Sequence, residues 1–101
     1  MNETSPEHCQ DMAQLRREID RLDRALVALL ARRQAYIERA AEIKSKRILI
    51  RDQARIADVI AKVVSEAGRV GPSPTIAEPV WRELVERSIE HEFRAFDAKA
   101  T

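Results

Sequence analysis

The chain has little of what builds folds other than helical ones. Two glycines and four prolines are too few for the turn-rich pattern of strand proteins, and aromatics make up only 4% of the residues. Cys9 is the single cysteine, so no disulfide can form within the chain. A lone thiol in a polar leader fits a reducing compartment, and a cytoplasmic home is expected. No charge of one sign dominates. Eighteen basic and 17 acidic residues leave a formal charge of +1, which provides no broad positive field for nucleic acid or an anionic membrane. Long apolar runs are missing too, so nothing is expected to span a bilayer, and the polar segment 1–10 lacks the apolar core of a signal peptide.

What is present is helical periodicity. With 101 residues, 45% hydrophobic and 35% charged, one all-α domain is expected over 11–98 behind a frayed tail at 1–10. Asp11 is a suitable N-cap, and Gln14 can reach back as in a capping box. No glycine or proline then occurs before Gly68, so a first helix running to Lys46 spans about 36 residues and about 54 Å. Its apolar residues Met12, Leu15, Ile19, Leu22, Leu26, Leu29, Tyr36, Ala40 and Ile43 fall at steps that keep them on one seam. A compact domain of this size has a radius of gyration of only about 13 Å, so a monomer would leave part of that seam wet. A second copy, its long helix antiparallel to the first about a twofold axis, is the expected cover.

Residues 45–51 mix basic and aliphatic side chains and form the expected loop, suited to a lid over a ligand. Asp52 is a fair N-cap for a second helix carrying Ile56, Val59, Ile60, Val63, Val64 and Ala67, closed by Gly68, Gly71, Pro72 and Pro74. Ser73 and Pro74 open a third helix, unless Pro79 moves its start to Glu78. One stripe of that helix holds Ala77, Trp81, Leu84, Ser88, Glu92 and Ala95, with Val80, Ile89, Phe93 and Phe96 beside it.

Charged residues on those stripes are the candidates for chemistry. Arg33 interrupts the seam of the first helix, and taking it out of water costs several kcal/mol unless an anion meets it. Lys44 lies eleven residues further on, which places it within about 20° of Arg33 and about 16 Å along the helix. Together the two cations could hold a small dianion, the guanidinium fork gripping one carboxylate. Arg16 is about 25 Å from Arg33 on another side and can reach such a pocket only from a second chain. In an antiparallel pair centred near Leu29 it lies level with residue 42. Ser88 and Glu92 stand one turn apart on the third helix.

Leu15-Arg16-Arg17-Glu18-Ile19-Asp20-Arg21-Leu22-Asp23, Leu29-Leu30-Ala31-Arg32-Arg33, Ile43-Lys44 and Arg51-Asp52 with Arg55 come in an order and spacing that resemble the all-helical class of chorismate mutase. The resemblance covers residues 11–97 and implies an intertwined homodimer with shared active sites, each chain giving three helices. It also implies rearrangement of chorismate, a small dicarboxylate, to prephenate. By that resemblance Arg33 and Arg16 of a second copy grip the carboxylates, assisted by Arg55 and Ser88. Asp52 joins the same substrate-binding set, Lys44 meets the ether oxygen, and Glu92 stands beside it. The reaction is a concerted bond reorganisation that calls for no nucleophile, metal or cofactor. Fixing both carboxylates folds the substrate into a near-attack shape, and cations stabilise the charge growing on the ether oxygen.

Two positions depart from the better known bacterial members. Ile56 replaces a glutamate that accepts from the ring hydroxyl, and Glu92 replaces a glutamine, as in some fungal members. Only a protonated Glu92 can donate, so efficiency is expected to fall as pH rises and Glu92→Gln to flatten the profile. A relative of the same fold, isochorismate pyruvate lyase, also lacks the glutamate at Ile56 and is the alternative enzyme. A helical dimerisation or adaptor module is the third possibility. Each residue also has a plainer role: Arg33 in a structural ion pair, Lys44 complementing a helix dipole, Ser88 as packing, Glu92 bridging to an arginine, Arg55 as surface, Trp81 as core. His8 and His91 have no partners at metal-ligand spacing.

Overall fold

Capping chemistry starts the first helix where the sequence places it. In the computed structural model, which describes residues 3–99, the Asp11 carboxylate accepts from the Gln14 amide at 2.8 Å and α1 spans Met12–Ile43. Gln14 reaches back as a capping box requires, though it accepts from the Gln10 amide (2.9 Å) rather than from Asp11. Of the tail expected over 1–10, residues 1–2 lie outside the described residues, and Pro6–His8 forms one 3-10 turn. The first helix stops at Ile43 rather than Lys46, and within the expected loop Arg47–Leu49 forms a second 3-10 turn.

The second helix, α2, spans Gln53–Val70. Its first turn is closed by the Asp52 carboxylate, which accepts from the Arg55 amide at 3.0 Å. Gly68 stays inside it, and Gly71 ends it at φ 120, a backbone region that favours a residue without Cβ. The third helix, α3, spans Pro74–Lys99 and contains Pro79 without moving its start to Glu78. The proline removes one early backbone donor, a small loss in a helix of 26 residues. Among the described residues the chain is all-α, with three α-helices and no strand. No helix among them is long and apolar enough to cross a membrane.

Two units divide the chain, Met1–Ala35 and Tyr36–Thr101, with α1 contributing to both. In the first unit the seam is largely bare: Met12, Ile19, Leu22, Leu26 and Leu29 are all about half exposed or more, Leu26 at 57%. In the second unit α2 packs on α3. Ile50, Ile60, Val85 and Ile89 form its core, with Ile56, Val59, Val64, Trp81, Phe93 and Phe96 packed against it. Each such aliphatic side chain contributes about 1.5–3 kcal/mol when fully buried. The stripe expected on α3 needs one adjustment, for Val85 is buried whereas Val80 is exposed.

Candidate active site

A glutamate occupies a place on α3 that helical spacing reserves for an apolar residue. Val85, Ile89 and Glu92 follow one another on the buried face, and Glu92 is 5% exposed, the only buried charged residue among those described. A buried carboxylate demands a partner. Lys44, the residue directly after α1, provides it, its ammonium donating to Glu92 Oε2 at 2.6 Å. The plainer role of Glu92, a bridge to an arginine, is not what the structure shows, since its partner is a lysine. Ser88 lies one turn before Glu92 on α3 and is half-buried.

Around this pair the end of α1 is fastened to α3 twice more. His91 and Glu38 are hydrogen-bonded at 2.7 Å. The Lys99 ammonium donates to the carbonyls of Ala41, Glu42 and Lys44. Ala41 is only 1% exposed, so the last turns of α1 are well anchored within the second unit.

The loop before α2 is tied to α3 by ion pairs. Arg47 donates to Asp97 at 3.0 Å and stacks over Phe93, 4.3 Å from the ring centroid. Arg51 donates to Glu86 through both amino groups, at 3.1 and 2.8 Å. Those hydrogen bonds, reinforced by the charge of Arg51, hold the Glu86 carboxyl below its ordinary value. Arg47, Ile48, Arg51, Gln53 and Phe93 line a shallow recess at this loop.

The other expected site residues are occupied locally or lie in the first unit. Asp52 caps α2, and Arg55 donates to Asp58 at 2.8 Å on the exposed side of the same helix. The Asp58 carboxyl is held low by Lys62 first and by Arg55 second. Ile56, the departure from the acidic pattern, is half-buried and packs against the core. Arg16 is exposed and Arg33 half-buried on the part of α1 that belongs to the first unit.

Sequence reasoning did not anticipate Glu38, His91 or Lys99. Their contacts join residues 53 to 58 positions apart, and no local pattern announces them. Among the described residues no group of three or more His, Cys, Asp or Glu side chains is arranged to hold a metal ion.

Comparison with known proteins places the sequence in a family. Residues 15–93 match the family described as Chorismate mutase type II. Isochorismate pyruvate lyase of Pseudomonas aeruginosa is 27% identical over 81 residues, 80% of each chain. Because the family match runs from Leu15 to Phe93 and takes in Arg16, Arg33, Lys44 and Glu92, the chain belongs to the chorismate mutase type II family.

Proposed function

We propose that the chain rearranges chorismate to prephenate as a homodimer. The observation that carries this reading is the Lys44 ammonium paired with the buried Glu92, in a chain of this family. A cation held on a carboxylate in a mostly dry setting is already a directed donor. When the ether bond of chorismate breaks and the new carbon–carbon bond forms, negative charge grows on the ether oxygen, and Lys44 stabilises it there. Glu92 holds the Lys44 ammonium in place for that role. Arg33 and Arg16 of a second copy grip the two carboxylates, which fixes the folded substrate shape and removes rotational freedom before reaction. Ser88 and Arg55 assist. The Arg55 contact with Asp58 is an exposed ion pair of small worth, which a substrate carboxylate can replace. Asp52 serves the site by fixing the first turn of α2. The bare seam of the first unit supports the dimer, because apolar residues such as Leu22, Leu26 and Leu29 gain from a second copy.

A second reading, isochorismate pyruvate lyase, is favoured by the relative of that name and by Ile56 at the otherwise acidic position. One experiment separates the readings: the purified protein is given chorismate and isochorismate in separate assays. Prephenate from chorismate is the expected product. Salicylate with pyruvate from isochorismate, and no prephenate, would establish the lyase. Turnover of neither would leave a dimerisation module.

A further inference from the structure

The end of a helix leaves its last carbonyls without backbone donors and gathers negative potential there, so a cation is favoured at that place. The last turn of α1 contains no basic residue. Lys44 follows at once and is the natural candidate for the role, yet its ammonium is turned to Glu92. The helix end is served from elsewhere. Lys99, in the last turn of α3, donates to the carbonyls of Ala41 at 2.6 Å, Glu42 at 3.2 Å and Lys44 at 2.7 Å. All three donors of one ammonium are used. The same ammonium lies 4.3 Å from the centroid of the Phe96 ring, and Phe96 packs against the core.

The geometry points to Lys99 as a positioning residue for the reaction. By capping α1 from a distance it releases Lys44 from the helix end. By holding the carbonyl of Lys44 itself it also sets the backbone from which the Lys44 side chain reaches Glu92. Lys99 does not touch the reacting atoms and acts through Lys44. The inference rests on Lys44 being the cation at the ether oxygen.

Two variants of the full chain test it. Lys99→Met keeps the aliphatic stem over Phe96 and removes the donors; Lys99→Arg restores donors and charge. In Lys99→Met, kcat for chorismate falls by about tenfold or more, as a small misplacement of a catalytic group does, while KM stays within about twofold because the carboxylate grips are untouched. Lys99→Arg recovers most of the loss. Unchanged kcat in Lys99→Met, or a loss matched by an equal rise in KM and not recovered by arginine, would overturn the assignment. The positional half is read without substrate from the proton–nitrogen NMR signal of the Lys44 ammonium. That signal moves in Lys99→Met and returns in Lys99→Arg; an unmoved signal overturns the inference. Should the unmodified protein turn over neither chorismate nor isochorismate, the reaction assigned above fails and the NMR signal alone decides the role of Lys99.

Discussion

The two units of this chain carry similar apolar residues at the same helical spacing and treat them in opposite ways. In Tyr36–Thr101 a stripe such as Val85 and Ile89 is covered by α2, and Ile89 is 7% exposed. In Met1–Ala35 the residues Leu22, Leu26 and Leu29 of the stripe are all more than half exposed, Leu26 at 57%. Tyr36 and Ile43 continue the bare seam at the start of the second unit. Periodicity therefore tells which face of a helix needs a partner, and says nothing of whether that partner lies in the same chain. Burial is non-directional and rewards any apolar cover. The bare seam and the buried ion pair also divide the proposed chemistry, with Arg16 and Arg33 on one unit and Lys44 and Glu92 on the other.

Charging the seam should break this contrast most severely. In Leu26→Glu each copy places a carboxylate in the proposed interface. Sedimentation equilibrium is expected to show a monomer, with chorismate turnover at background because no second copy brings Arg16. An intact, active dimer would remove the seam from the interface. Next in size is Arg33→Ala, expected to lower kcat/KM by at least about a hundredfold while dimer and unfolding temperature are kept. Turnover surviving in the folded variant would end its role as a grip, and a large loss of stability would mark a structural ion pair instead.

Ile89→Ala sharpens the comparison from the covered side. It should cost about 2–5 kcal/mol in denaturant unfolding, independent of protein concentration, whereas the cost of Leu26→Ala should grow as the protein is concentrated, since its cover comes from association. The smallest effect concerns the loop. Glu86 is held low by Arg51, so its contribution to stability is present above the ordinary glutamate value of about 4.3 and is lost as pH falls through the lowered one. The small difference in unfolding temperature between the protein and Glu86→Gln should vanish in acid, and a difference persisting there would show that the ion pair is not its source.

Several features were legible because they depend on neighbours within a turn or two. Asp11 and Asp52 cap the helices expected of them, since a carboxylate three positions ahead of a free amide needs no tertiary help. Gly71 ends α2 because its positive φ suits glycine, while Gly68, equally visible in the sequence, is simply carried through the helix. Glu92 stood out as a charge on an apolar stripe, and its burial is what that pattern implies. Its partner was not determined in the same way, because helical spacing gives the direction of a side chain and not the element that it meets. Val80 and Val85, by contrast, lie about 140° apart around α3, so the helical period itself separates the exposed valine from the buried one.

The sequence by itself determined three amphipathic helices, their caps, the family and the residues whose charge conflicts with their place on a stripe, for these follow from periods of a few residues and from motif order. Only the tertiary structure decided that Glu92 meets Lys44, that His91 meets Glu38, and that Lys99 rather than Lys44 serves the end of α1. Those choices join residues about fifty positions apart. They are settled by which helices pack together, because a buried charge takes whatever partner the packing brings within reach.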